Sequence, residues 1–378
     1  VLNRIFFLSF VIIIVFIGGF FTGKIFTEKR IPITESEPYV LDEEENMTED
    51  PTEEKAADLN INNTNALIAY IQDFRDPEQI NYEQLTHIIF SFAHPTADGE
   101  VLLSGETAES NLKTIVTKAH EADTKVMLAV GGWSHLYGGE SYDYFQVAIS
   151  NPESRERLVD SLIRLVEQEQ LDGIDIDFEH PRSQKDANNL ANFTKQLSDR
   201  LHPEGRELSI AVHSKINAFT LTETDYVTYE PSTFEYVDHI NIMAYDGQWD
   251  EGYHAENLST YIFTEKVALY WRNLFEQYNL PTEKLILGVP FYAQPEEASV
   301  KQVSYAAIIE NNPNDASNDT ISMNGTTYYF NGSETMKRKT KLAMKEGFGG
   351  IMAWEAGLDS PGPLSLLSVI YEELFESN

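Results

Sequence analysis

The sequence predicts an α/β protein whose main body is a (β/α)8 TIM barrel. Three observations predict it. Eight short runs rich in β-branched residues lie between residues 66 and 354. Most are separated by amphipathic stretches long enough for a helix, the alternation that builds a parallel sheet covered by helices. The fourth run, GIDIDFE, places carboxylates at Asp175, Asp177 and Glu179 and apolar side chains at Ile174, Ile176 and Phe178. A barrel strand lines the interior with every second residue. This segment would therefore turn its acids inward and its apolar residues out against helices.

The elements follow in order. Residues 5–23 are almost wholly apolar and uncharged, with Arg4 before them. A membrane-spanning helix needs about 20 such residues. Residues 1–30 thus read as an N-terminal transmembrane anchor, or as a signal segment if cleaved. The lack of a clear small-residue cleavage site favours the anchor. Lys24, Lys29 and Arg30 beyond the span weaken any orientation read from flanking charge. Residues 31–62 read as a disordered acidic linker, because ESEPYVLDEEENMTEDPTEEKAAD has too few large apolar side chains to form a core. The barrel is expected over 63–378. Its strands are expected at 66–71, 86–93, 125–132, 173–179, 208–214, 239–246, 285–291 and 349–354. Helical stretches include ESRERLVDSLIRLVEQEQ, DANNLANFTKQLSDRLH and STYIFTEKVALYWRNLFEQYN, with SLLSVIYEELFES after the last strand. Residues 292–348 join the last two strands, expected as one helix, a small hairpin and the barrel helix. That short connection predicts an open groove.

Composition narrows the function. Against 27 Lys and Arg stand 61 Asp and Glu, a net charge of -34. This excludes a nucleic-acid backbone as partner, since phosphate needs a basic surface. It suits a neutral partner such as a carbohydrate. The chain has no cysteine, which removes disulfides, thiolate metal sites and cysteine nucleophiles. No histidine cluster has metal-ligand spacing, so no metal and no cofactor is expected. A monomer is expected.

The acids of GIDIDFE climb toward the C-terminal mouth, where barrel active sites lie. Glu179, last on the strand, would stand nearest to substrate. Three inward carboxylates are costly to bury without a purpose. With Asp172 before them, DGIDIDFE resembles the D-x-x-D-x-D-x-E signature of family 18 glycoside hydrolases, the chitinase family. KVMLAVGGWS is similar to that family's third strand, NIMAYD to its sixth, GVPFYA to its seventh and GGIMAWE to its eighth. The resemblance covers roughly residues 64 to 376, with the motifs in order.

What it implies is specific. Such an enzyme cleaves β-1,4-linked N-acetylglucosamine polymers with retention, using the substrate's own acetamido group as nucleophile. Glu179 would be the proton donor. Asp177 would hold the acetamido N–H, and Asp175 would share a proton or hydrogen bond with Asp177. Tyr245 would donate to the acetamido oxygen. Trp354 would floor the cleavage subsite, flanked by Met243 and Asp246. Tyr70 and Phe92 are candidate inward aromatics, while Trp133 and Trp249 could stack on sugar at the mouth. Asp172, Gly131 and Gly132 would support the strands. Two departures stand out. Ala129 takes a place where the family commonly has serine, removing a hydroxyl expected to support the acids. His213 ends the fifth strand where many relatives differ, and a structural role is favoured there over sugar contact. The alternative substrates are N-glycans or peptidoglycan, cut by an endo-β-N-acetylglucosaminidase. An inactive glycan-binding barrel is disfavoured because Glu179, Asp177 and Tyr245 are all present. The expected location is outside the cell, membrane-anchored, or secreted if the leading segment is cleaved.

Overall fold

The computed structural model describes residues 65–376. The expected anchor and acidic linker lie outside the described residues. β1 (Ala66–Gln72) pairs in parallel with β2 (His87–Pro95), whose far end carries the short antiparallel β3 (Val101–Leu102). The parallel ladder continues through β4 (Lys125–Gly131), β5 (Gly173–Asp177), β6 (Glu207–His213), β7 (His239–Met243) and β8 (Leu285–Pro290). The last barrel strand, Gly350–Trp354, pairs with both β8 and β1 and closes the ring. All eight expected strands are present.

The helices wrap the outside. They are α1 (Glu106–Glu121), α2 (Ser141–Ser150), α3 (Pro152–Gln168), α4 (Gln184–Leu201) and α5 (Tyr261–Gln277). Their starts are legible. Pro152 opens α3 and the Asn151 side chain accepts from the Glu153 N–H. Ser183 and Thr260 cap α4 and α5 in the same way. Among the described residues no helix is long and apolar enough to cross a membrane.

Two apolar layers result. Ile174, Ile176 and Phe178 are buried with the helix residues Leu158, Leu162 and Phe193. Phe178 lies 5.1 Å from the Phe145 ring of α2. Inside the barrel a second cluster holds Ile68, Tyr70, Ile89, Met127, Ala129 and Met352, with Phe92, Met243 and Trp354 packed against it. At the foot of β5, Asp172 Oδ2 accepts the Val126 N–H at 2.8 Å and lies 2.8 Å from His120 Nε2.

The connection from β8 differs from expectation. It holds β9 (Tyr292–Pro295), β10 (Val303–Ser304), α6 (Tyr305–Asn311), β11 (Thr320–Met323), β12 (Thr326–Tyr329) and α7 (Ser333–Lys345). The expected hairpin is β11 with β12, but β9 and β10 extend it to a four-stranded antiparallel sheet. β9 follows β8 after one residue within a single apolar run, and β10 is two residues long. Neither leaves a periodic trace. The final strand is therefore β13 (Gly350–Trp354), followed by α8 (Leu366–Tyr371).

The turn leaving β4 depends on glycine. Gly131 has φ 119°, and a Cβ there would sit 2.1 Å from the Asp177 carbonyl oxygen. The next residue, Gly132, donates its N–H to that same oxygen at 2.8 Å. Gly131→Ala should cost about 1–3 kcal/mol, from backbone crowding and positive φ. A lowered melting temperature checks this, and an unchanged one would refute it.

Candidate active site

The C-terminal mouth of the barrel opens into a cavity of about 750 Å³. The fold delivers the acids there in sequence. Asp175 lies lowest and is fully buried. It accepts hydrogen bonds from Tyr70 Oη at 2.7 Å, Ser209 Oγ at 2.5 Å and Asn241 Nδ2 at 3.1 Å. Burial raises its carboxyl above the ordinary range, and those three donors pull the other way.

Asp177 stands above it, lining the cavity. Its Oδ1 is buried with no hydrogen-bond partner. Burial, then the charges of Glu179 and Asp175, push its carboxyl well up. The strand ladder ends at Asp177, two residues earlier than the alternation implies. Glu179 therefore projects from just beyond the strand end into the cavity. Burial first, then Asp246, raise it to about 8.

The sixth barrel strand also ends early, at Met243. Tyr245 and Asp246 consequently sit on the turn above it. The Tyr245 hydroxyl has only a weak contact, 3.8 Å to Met352 Sδ. Asp246 adopts a left-handed backbone, φ 62°. It accepts from Tyr292 Oη at 2.5 Å and Gln248 Nε2 at 3.0 Å. Trp354 forms the apolar wall, stacked on Phe92 at 5.9 Å and tilted against Tyr70 at 5.4 Å. The next residue, Glu355, is buried and ion-paired with Arg75, which ties down this strand end.

The cavity therefore brings together Asp177, Glu179, Tyr245, Asp246, Met243, Trp354, Tyr70 and Phe92, with Trp133 and Trp249 at its exposed rim. Asp175 lies beneath it. Asp172, Gly131 and Gly132 do not line it. Ala129 pairs in register with Asp175 and offers it no donor. The hydroxyls on Asp175 come from Tyr70 and Ser209 instead.

Several residues of the site had not been singled out. Ser209 and Asn241 are polar residues at inward positions of apolar strands, so alternation alone could have found them. His180 and Tyr226 lie on loops and leave no such signal. His180 Nε2 is 3.6 Å from Glu179, and burial lowers its ring to about 3, which keeps it neutral. His213 Nδ1 accepts the Lys215 N–H at 2.9 Å, leaving the proton on Nε2, 3.0 Å from Tyr226 Oη. The residue is thus both tied into the scaffold and part of the cavity wall.

A closed parallel barrel carrying a row of acids and an aromatic wall at its C-terminal mouth is the architecture of a carbohydrate-active barrel. The profile described as "Glycosyl hydrolases family 18" matches residues 66–359. The chain belongs to that family. It is 28% identical over 240 residues to the probable chitinase 10 of Drosophila melanogaster, covering 58% of this chain and 10% of that one. It is 28% identical over 227 residues to a chitinase-like effector of Moniliophthora roreri, covering 57% and 54%. The chain thus spans from a tenth to about half the length of these relatives. A solved family 18 chitinase from the chitin utilization locus of Flavobacterium johnsoniae superposes with TM-score 0.68 at 25% identity, covering 82% of this chain and 94% of that one.

Proposed function

We propose that this chain is a retaining glycoside hydrolase that cleaves β-1,4-linked N-acetylglucosamine polymers by substrate-assisted catalysis. The observation that carries the proposal is the unpartnered Asp177 Oδ1, buried between a pinned Asp175 and a proton-holding Glu179. A buried acceptor without a donor is costly, and a substrate N–H would satisfy it. Protonated Glu179 gives its proton to the glycosidic oxygen as the C–O bond breaks. The substrate's acetamido oxygen bonds to the anomeric carbon, forming an oxazolinium ion. Asp177, its proton passed to Asp175 beneath it, holds the acetamido N–H as a carboxylate and balances the positive charge. The Tyr245 hydroxyl, held only weakly by Met352 Sδ, donates to the acetamido oxygen. Water then attacks from the face the leaving group vacated, and the Glu179 carboxylate takes its proton, so configuration is retained. Trp354 offers a flat apolar surface to the sugar ring.

The apolar residues 5–23 and the acidic stretch 35–58 support an exported barrel held at a membrane, or secreted where the first segment is cleaved.

The test offers the full chain chitin oligosaccharides, a high-mannose glycopeptide and peptidoglycan, reading products by mass and the first-formed anomer by NMR. Cleavage of chitin oligosaccharides giving the β-anomer first is expected. Release of glycan from the glycopeptide alone would shift the assignment to an endo-β-N-acetylglucosaminidase. An α-anomer, or no cleavage of any substrate, would overturn the mechanism. The pH profile follows from Glu179. The donor is protonated below its raised value of about 8, so kcat/KM should fall as pH rises through that value. A constant kcat/KM up to pH 10 would remove Glu179 as the acid.

A further inference from the structure

The opposite end of the barrel carries a second cluster that catalysis does not use. His87 begins β2, Glu207 begins β6 and His239 begins β7. These strands are not all neighbours, so the three side chains meet across the barrel floor. His87 Nε2 lies 2.9 Å from Glu207 Oε2, and His239 Nε2 lies 3.7 Å from that same oxygen. The two imidazoles pack edge to face, with ring centres 5.0 Å apart. One nitrogen from each ring and one carboxylate oxygen all lie within 4.8 Å of one another.

Hydrogen bonding around the rings is uneven. His87 Nδ1 sits 2.8 Å from Thr86 Oγ1, which is itself held by the backbone of Leu67. That contact orients His87 with Nε2 toward Glu207. His239 has no such support. Its Nδ1 is buried and unpartnered, and its Nε2 is beyond hydrogen-bond reach of Glu207. The nitrogen that faces the carboxylate beside a second imidazole is thus held only by a long ion-pair contact, and it is this Nε2 that a cation would engage.

We propose that His87, Glu207 and His239 bind a zinc-like divalent cation that staples β2, β6 and β7 together at the floor of the barrel. Two imidazoles and a carboxylate suit zinc. At bond lengths of about 2.0–2.1 Å, tetrahedral ligand atoms stand roughly 3.3 Å apart, and the observed 2.9 and 3.7 Å bracket that spacing. Water would complete the coordination. Glu207 Oε1 also holds Lys125. That lysine is half exposed and can swing aside while Oε2 binds the cation. The side chains of His239 and Glu207 are about one-fifth exposed, which gives the ion a way in. The site lies at the end of the barrel associated with stability, away from the catalytic mouth. The ligands are 120 or more residues apart from His87 along the chain, so local spacing could not announce them.

The experiment uses the full chain made without a histidine tag and cleared of metal by a chelator. Zinc chloride is titrated by calorimetry, and melting is followed with and without it. One zinc per chain is expected, with a melting temperature that climbs as zinc is added. Calcium and magnesium, which prefer all-oxygen sites, should do neither. His239→Ala removes a ring held only by its long contact to Glu207, so the metal-free protein should still fold. It should lose at least about tenfold in zinc affinity, as should Glu207→Gln. Absence of saturable zinc binding would overturn the proposal. So would zinc binding that both variants leave unchanged.

Discussion

Glu179→Gln is expected to lower kcat/KM by about 10²–10⁴-fold, the usual worth of a positioned proton donor. The loss should appear in kcat, because glutamine keeps the shape and most contacts of the side chain. Binding of an uncleaved oligosaccharide, followed by calorimetry, should change by no more than a few fold. The same substitution should stabilise the protein at neutral and alkaline pH. The sign follows from the raised carboxyl. Its folded value of about 8 exceeds the ordinary 4.5, so the folded state holds a proton that the unfolded chain releases. The stability this represents is present in full below 4.5 and is lost as pH rises toward 8. Glutamine never ionises and escapes that loss. Wild type should therefore melt below the variant at pH 8, with the gap closing at pH 4. A variant that keeps full activity, or one less stable at pH 8, would contradict the assignment of Glu179 as a buried acid.

Much of this site is visible in the sequence because a strand has a period of two. In GIDIDFE the alternation alone separates a carboxylate face from an apolar face, and the barrel places them inside and outside as that period requires. Ile174, Ile176 and Phe178 needed no tertiary information. The ends of strands were harder. Alternation runs on through Glu179, yet the ladder stops at Asp177. Hydrogen bonding depends on where the neighbouring strand stops, and no local pattern records that. The partners of Asp175 show a middle case. Ser209 and Asn241 sit at inward positions in apolar strands, but only the register of β5, β6 and β7 brings both to one carboxylate. The floor cluster is the extreme case. Each of His87, Glu207 and His239 is an ordinary polar residue at a strand start, and only closure of the barrel makes them a group.

Ala129 tests how far the acidic row depends on single hydroxyls. Asp175 already receives three donors without it. The burden of orienting substrate therefore falls on Asp177, whose free oxygen has no competing protein donor. Asp177→Asn should cut kcat by about 10²–10³-fold, the scale seen when one group aimed at developing charge is removed. Two effects combine. The negative charge that balances the oxazolinium is lost. The new amide can also present its N–H toward the substrate's N–H, setting donor against donor. Because both effects grow as the ring closes, KM should move much less than kcat. Asp175→Asn is the control. Asp175 lies below the cavity and touches no substrate, so its loss should be smaller and should act through Asp177. A second comparison isolates the acetamido group. A deacetylated glucosamine oligomer offers no internal nucleophile, so wild type and Asp177→Asn should be equally inactive on it. If Asp177→Asn instead kept more than half of the wild-type kcat on acetylated chains, the substrate-assisted route would fail. A fully active wild type on the deacetylated oligomer would point the same way, because an enzyme carboxylate would then have to serve as nucleophile, with Asp246, whose charge acts on Glu179, the one to examine.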